Sequence, residues 1–538
     1  MTQDAALQNS GWKRIRQGMV SLGRLGLLLA GACVTAGLFA SSYPQLSHSF
    51  AAWFILAPFI WGVSNVRGFF ASAFYGWLTG LLCNALLLSW VYYTCVYGGG
   101  LSVPMALGAW LGLSALLALQ FAILGGACCF LKRTGVFFPL LAACGWVALE
   151  WVHQTIAFYG IGFPWIMLGY TQWNVPEVLY LASYTGVYGL SFILAFVGAS
   201  VGWFFALPSI RQGLWQLFWA VCVFAIVFGL GKYQLNRRAA FVQHLHPQSL
   251  LNVQAALLQP NIDQYKKWTP EYEAEIVHTL EDMGNSLAGE GVYLAVWPES
   301  VVPGSLTEEK YFNLFSRLGS ATGAYQVLGS NIFEGNNQQY VGAYLMTPQA
   351  EGLSAYRKIK LVPFGEFIPL EPWVRKLTAN VDVMGALGAF LPGPYTQPLL
   401  DAGGVKLGTT ICYESIFPQL WRSQNKQGAQ LFVNITNDAW FFQTAAPYQH
   451  LAVNVLRAVE NGRPVLRAAN TGFSAYIDAW GNIRQKSGLF TREILQASVP
   501  LSVRNSSTFY AQWGDWFAWV CALVFFTIAI STAVFFYE

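Results

Sequence analysis

Three residue types in this chain combine into a nucleophile and the groups that would activate it: a cysteine, a glutamate and a lysine. Of the nine cysteines, eight (Cys33, Cys83, Cys95, Cys128, Cys129, Cys144, Cys222 and Cys521) lie in long apolar runs, where a thiol behaves as a small buried hydrophobe. Cys412 lies elsewhere. It ends the strand-like run Val405–Ile411 within Leu407-Gly-Thr-Thr-Ile-Cys-Tyr-Glu-Ser415 and precedes a helix-like run. This is the sharp strand-to-helix turn in which α/β enzymes place nucleophiles. A buried core cysteine would also fit there, and the residue alone does not separate the two readings.

A thiol with an ordinary pKa of about 8.5 is mostly protonated at neutral pH, so it needs a base, or a cation that favours the thiolate. Two other stretches supply such groups. In Val296-Trp-Pro-Glu-Ser300, Pro298 ends a strand and leaves Glu299 at its rim, where α/β proteins gather their sites. In Tyr356-Arg-Lys-Ile-Lys-Leu-Val-Pro-Phe-Gly-Glu366, lysines punctuate an apolar run. Glu299 suits the base and Lys358 the cation, and Lys358 with the backbone N–H of Tyr413 would face the oxyanion of a tetrahedral intermediate. The plain alternatives are a solvated loop carboxylate and the charged face of an edge strand. A Cys–His pair with His450 is a further arrangement, although Tyr448-Gln-His450 reads as the opening of a helix. Neither metal nor cofactor is expected, because His244, His246, His278 and His450 are dispersed and no zinc-like Cys/His spacing occurs.

The elements that must carry these groups alternate in type. Strands are predicted at Val253–Leu258, Val292–Val296, Tyr325–Leu328, Tyr340–Met346, Val405–Ile411, Leu431–Ile435, Val465–Ala469, Ser474–Ile477 and Ile494–Ser498. Helices are predicted at Glu271–Ala288, Thr307–Leu318, Ile416–Asn425 and Tyr448–Asn461. The alternation implies a layered α/β domain, with two packed sheets or one long one.

The rest of the chain is built for a different solvent. Its residues are 55% hydrophobic, 16% aromatic and only 10% charged, against about 25% charged in soluble domains. Between Leu25 and Gly231 the ionisable acids and bases other than histidine are Arg67, Lys132, Arg133, Glu150, Glu177 and Arg211. Apolar runs at Leu25–Ala40, Phe50–Val66, Phe69–Val91, Val103–Leu131, Val136–Trp151, Val178–Phe205 and Leu214–Leu230, with a last one at Trp516–Phe536, predict seven membrane spans before the polar domain and one after it. The first is expected to be a retained anchor rather than a cleaved signal. The expected division is residues 1–235 as a membrane domain, 250–505 as the catalytic domain and 513–538 as a final span. The net charge of +4 is small for the length and gives no reason to expect a nucleic-acid partner.

Loop charges predict the orientation. Lys13, Arg14, Arg16 and Arg24, then Arg67, then Lys132 and Arg133, then Arg211 all fall on one side in this count, while Ser41–Ser49, Cys95–Ser102 and His153–Glu177 contain no lysine or arginine. The N-terminus is therefore expected in the cytoplasm and Lys232–Arg504 outside it. In an oxidising compartment a domain with one cysteine has no internal disulfide partner, which makes a chemical role for Cys412 the better reading.

Trp297-Pro-Glu299, Lys358 followed by Leu361-Val-Pro-Phe-Gly-Glu366, Cys412-Tyr-Glu414 and Asn434-Ile-Thr-Asn-Asp-Ala-Trp440 occur in the order and spacing of a nitrilase-like domain. With the flanking spans, the chain resembles the apolipoprotein N-acyltransferase family over nearly its whole length. Gln259-Pro-Asn-Ile262 with Trp268 behind it, and Gly162-Phe-Pro-Trp165 with Gly169-Tyr170, fit the same family. The resemblance implies a polytopic membrane domain of about eight transmembrane helices plus an αββα sandwich, and a Glu299–Lys358–Cys412 triad. It also implies ping-pong transfer of the sn-1 acyl chain of a phospholipid, taken as phosphatidylethanolamine, to the α-amino group of a diacylglyceryl-cysteine apolipoprotein. On the same basis Glu366 supports the lysine, and Tyr413, Glu414 and Trp268 are active-site or substrate-contacting positions. The expected setting is the bacterial inner membrane, with a periplasmic catalytic domain and a monomeric enzyme. One departure stands out: Val152-His153-Gln154 follows Glu150-Trp151 where the family has an arginine.

Two aromatic segments, Trp440-Phe-Phe442 and Met384–Leu391, are expected either to meet the membrane or an acyl chain, or to be ordinary core. A membrane-tethered amidase is the same-fold alternative, and a transporter or receptor the alternative of another class. The scarcity of ionisable residues within the spans, essentially Glu150 alone, argues against transport.

Overall fold

The computed structural model describes residues 23–207, 209–244, 251–335, 338–368, 390–501 and 507–537. The half that follows residue 250 contains two six-stranded sheets. In chain order the strands are β1 (Leu251–Gln259), β2 (Leu294–Val296), β3 (Tyr325–Glu334), β4 (Gln338–Met346), β5 (Leu353–Arg357), β6 (Leu400–Ala402), β7 (Val405–Ile411), β8 (Leu431–Thr436), β9 (Val465–Ala469), β10 (Ala475–Ile477), β11 (Ile483–Lys486) and β12 (Glu493–Leu501). One sheet has the order β12-β1-β2-β3-β4-β5 and the other β11-β10-β9-β8-β7-β6. The central strands β1, β2 and β3 run parallel, as do β7, β8 and β9.

Period-two alternation explains the layering. Ala255, Leu257, Leu294 and Val296 join the core between the sheets, which also holds Leu407, Ile411 and Val433. Their neighbours Ala256, Leu258, Ala295 and Trp297 face the other way, onto Leu280 and Phe315 of helices Glu273–Asn285 and Glu309–Thr322. On the second sheet, helices Pro418–Lys426 and Ala446–Asn461 take the corresponding place. The result is the αββα sandwich. All nine predicted strands and all four predicted helices of this half are present, β7 and β9 with the predicted ends and the others with shifted ones. The strands not predicted, β5, β6 and β11, are short and lie toward or at sheet edges, where few apolar residues mark them.

The other half is helical. Among the described residues six helices are long and apolar enough to cross a membrane: Gly23–Ser42, Phe69–Leu87, Val103–Phe158, Val187–Ala206, Ile210–Arg238 and Trp516–Val534. The expected count of eight is therefore not reached by this measure, for two physical reasons. The expected span at Phe50–Val66 is only a shorter apolar helical stretch, Ala51–Asn65. The fourth and fifth expected spans are one apolar run, and it turns back at Gly135, whose φ of 58° is open to glycine. Exposed apolar side chains such as Phe70, Leu214, Val221 and Leu523 cover the outside of this bundle, as a hydrocarbon solvent requires. The protein is a membrane protein.

Candidate active site

Each of the three chemical residues leaves a strand end. Glu299 follows β2, in a turn where Ser300 has φ of 50°. Gly329 of β3 packs directly under that turn, and a Cβ there would lie 2.3 Å from the Pro298 carbonyl and 2.6 Å from Glu299 Cα. Only a glycine lets the neighbouring strand come this close. Lys358 follows β5, and its N–H donates to Val341 O at 2.8 Å. Cys412 follows β7 with φ of 50° and opens the 3-10 turn Cys412–Ile416.

The fold brings these groups together. Lys358 is fully buried, and its Nζ donates to Glu299 Oε1 at 3.2 Å and to Glu366 Oε1 at 2.6 Å. Glu299 Oε2 accepts the N–H of Asn437 at 3.0 Å, and Glu366 Oε2 accepts that of Val362 at 2.9 Å. Burial alone would lower the Lys358 pKa, but Glu299, Glu366 and the Cys412 sulfur raise it well above the ordinary lysine value. The Cys412 thiol is 9% exposed. Burial and the Glu299 charge push its pKa up, with Lys358 acting against them, so the resting thiol is protonated and uncharged.

Glu414 lies two residues beyond Cys412, on the same turn. It is fully buried, and its Oε1 accepts N–H groups of Ile359 at 2.6 Å and Lys360 at 3.1 Å, while Oε2 accepts that of Ile411 at 2.8 Å. The Tyr356 hydroxyl adds contacts of 3.0 and 3.1 Å. Burial pushes this carboxyl up to about 7. Glu414 thus staples the lysine segment to the cysteine turn. Tyr413 stacks on Phe163 of the membrane half with ring centroids 5.8 Å apart. Trp268 is 51% exposed on the loop after β1.

His450 does not serve the thiol. Its Nε2 lies 3.1 Å from the Cys412 carbonyl oxygen and 2.9 Å from Ser415 Oγ, and its Nδ1 lies 2.9 Å from Asp438 Oδ1. Arg467 donates to Asp438 Oδ2 at 2.7 Å and to Asn434 Oδ1 at 2.6 Å. Although burial would raise it, Arg467 and His450 hold Asp438 down at about 2. This buried network braces the backbone of the cysteine turn. The only signal in the sequence was the Asn434–Trp440 motif, which does not reveal that His450 joins it.

The two halves meet at the site. Gln449 Oε1 accepts the indole N–H groups of Trp165 at 2.8 Å and Trp90 at 3.2 Å. Phe441 packs on the same two rings, with centroids 5.8 and 5.1 Å away, and the Trp440 carbonyl accepts from Thr94 at 3.1 Å. The segment Trp440–Phe442 therefore docks on the bundle, while residues 384–389 of Met384–Leu391 lie outside the described residues. Lys360 lies over the Phe158 ring and donates to its carbonyl. Glu150, with no arginine beside it, accepts from the Trp146 indole at 2.8 Å and the Leu168 N–H at 2.7 Å. His153 accepts the Phe163 N–H at 3.3 Å. Both side chains thus position the loop that carries Phe163 and Trp165.

Two stretches of the chain match known protein families. Residues 254–507 match the carbon-nitrogen hydrolase family, and residues 35–200 match the apolipoprotein N-acyltransferase N-terminal domain. The apolipoprotein N-acyltransferase of Geobacter metallireducens is 36% identical over 509 residues, 91% of this chain and 92% of that protein. That of Methylococcus capsulatus is 33% identical over 455 residues, covering 83% and 84%. Among solved structures, an amidase from Nesterenkonia sp. is 22% identical, with a TM-score of 0.35 over 46% of this chain and 90% of its own. With two domain matches in the order expected and relatives aligned over most of its length, the chain belongs to the apolipoprotein N-acyltransferase family.

Proposed function

We propose that the protein moves the sn-1 acyl chain of a phospholipid, taken as phosphatidylethanolamine, to the α-amino group of a diacylglyceryl-cysteine apolipoprotein, through a thioester on Cys412. The observation that carries this reading is the buried Lys358 bridge between Glu299 and Glu366 in the same site as the buried Cys412 thiol. It supplies a base, a fixed cation and a nucleophile in one dry site.

In the first half, Glu299 takes the thiol proton as sulfur attacks the ester carbonyl carbon. Lys358 and the Tyr413 N–H face the oxyanion. The ester C–O bond then breaks, and the alkoxide of the lysophospholipid recovers the proton from Glu299. In the second half, the amine nitrogen attacks the thioester, Glu299 takes its proton, the C–S bond breaks and the thiolate is reprotonated. Between the halves the thioester must be kept from water, which the burial of Cys412 supports.

The proposed setting is the bacterial inner membrane, with the catalytic domain periplasmic and the enzyme monomeric. Two helices support the orientation without any count of spans. Helix Phe69–Leu87 begins just after Arg67, and the Leu87 carbonyl accepts from Gln449 at 3.4 Å. Helix Phe138–Phe158 begins just after Lys132 and Arg133 and ends at Phe158, which Lys360 covers. Arg24 and Lys132 also share one end, donating to the Asn65 and Val66 carbonyls. The basic residues and the catalytic domain thus lie at opposite ends of the same helices.

The test is acid-quenched incubation of the purified protein with acyl-labelled phospholipid. Label is expected on Cys412, discharged to a lipopeptide amine and absent from Cys412→Ser. Normal labelling of Cys412→Ser would sink the assignment. Release of free fatty acid at one rate with or without the lipopeptide would favour the hydrolase. An impermeant thiol reagent that reaches Cys412 only after lysis of spheroplasts would overturn the orientation.

A further inference from the structure

None of the steps above uses Lys267. Its side chain is 1% exposed, and among the described residues its ammonium has no hydrogen-bond or ion-pair partner. Burial lowers its pKa more than the Glu299 charge raises it. That carboxylate is already engaged, since Oε1 accepts from Lys358 and Oε2 from the Asn437 N–H.

The loop that carries Lys267 is fixed with care. Asn437, whose N–H holds Glu299, donates through its side chain to Gln264 at 2.6 Å. Asn470 exchanges bonds of 2.9 and 2.8 Å with the Ile262 N–H and carbonyl. The Tyr265 hydroxyl donates to the Tyr97 carbonyl of the membrane half. This loop therefore joins Glu299 to the membrane half, with Tyr265 and Trp268 exposed on it.

Burying an ammonium away from water without a close counter-ion is strongly unfavourable. The fold retains one here with no partner among the described residues, and an anion would supply that partner. Of the two substrates, the acceptor brings an amine, whose cationic form Lys267 repels. The donor brings a phosphodiester on the same glycerol as the reacting ester.

We propose, resting on the phospholipid-donor reading above, that Lys267 recognises the donor's phosphate and so orients the sn-1 ester over Cys412. A lysine suits this as a compact point charge with rotatable donors. Burial pulls its pKa down to about 8, with Glu299 acting against that shift, and a bound phosphate would hold it protonated.

The test compares two donors on the full-length enzyme in detergent. One is acyl-labelled phosphatidylethanolamine and the other p-nitrophenyl palmitate, an ester without phosphate whose p-nitrophenolate burst reports acylation of Cys412. For Lys267→Met the ratio of phospholipid rate to p-nitrophenyl ester rate is expected to fall about tenfold or more, and Lys267→Arg is expected to recover part of it. Inorganic phosphate should inhibit acylation by the phospholipid in the wild type more than in Lys267→Met. An unchanged ratio, whether both rates fall together or neither falls, would overturn the proposal. Phosphate inhibition lost in Lys267→Met without a change in the ratio would mark a site for free phosphate instead, and would overturn it too. A wild type that takes acyl from the p-nitrophenyl ester and never from phospholipid would overturn the function proposed above, a separate result.

Discussion

Glu414 accepts the N–H of Ile359 at 2.6 Å, so the carboxylate two residues beyond Cys412 is bonded to the peptide that follows Lys358. With Ile411 on its other oxygen, this one side chain sets the distance between a cysteine turn on one sheet and a lysine segment on the other. Its burial makes it pH-sensitive. A carboxyl raised to about 7 in the fold binds a proton more readily folded than unfolded. Its contribution to stability is present below its ordinary pKa and lost as pH rises through about 7. Between those values the wild type is expected to lose up to about 3 kcal/mol from this group. Glu414→Gln should show a flatter profile, read as the difference between the two proteins in thermal unfolding from pH 4 to pH 8.

Lys358 holds two buried carboxylates apart, at 3.2 and 2.6 Å. Lys358→Met leaves Glu299 and Glu366 facing each other without the cation, and is expected to destabilise the catalytic domain by about 3–5 kcal/mol as well as abolish acylation. Lys358→Met combined with Glu366→Gln should regain part of the stability and none of the activity. Differential scanning fluorimetry beside the thioester assay separates the two effects.

His450 bonds the Cys412 backbone and not its sulfur, so its removal should act on geometry. His450→Ala is expected to slow acylation by about 1–3 kcal/mol in the barrier, with the pH profile of acylation unmoved. His450→Gln, which keeps a donor for the Cys412 carbonyl, should lose less. A shift of the profile in His450→Ala would instead make it a base.

Gly329 has no room for a side chain beneath Glu299. Gly329→Ala must push the Pro298–Ser300 turn outward, at an expected cost of about 1–3 kcal/mol. Acylation should fall much further than that stability loss explains. Measuring the thioester burst well below the variant's unfolding temperature tests this.

Much of the scaffold was legible because it is written locally. Strand alternation, as in Ala255 to Leu258, follows from a period of two, and apolar run length marks the membrane half. The sharp turn at Cys412 also shows in a strand-like run that ends in a polar tripeptide. The span count was less legible, because the turn at Gly135 lies inside one apolar run and Leu56–Asn65 is too short to judge by composition.

The partners of buried polar side chains are another matter. The sequence by itself determined the layers, the membrane character and which thiol is set apart from the rest. Only the tertiary structure decided that Glu414 is a staple, that His450 braces a carbonyl and that Lys267 is a buried cation without a partner among the described residues. The reason is physical: a charged side chain reads the same in sequence whether water or protein surrounds it. Its environment comes from chain far away, such as the 59 residues that separate Lys358 from Glu299.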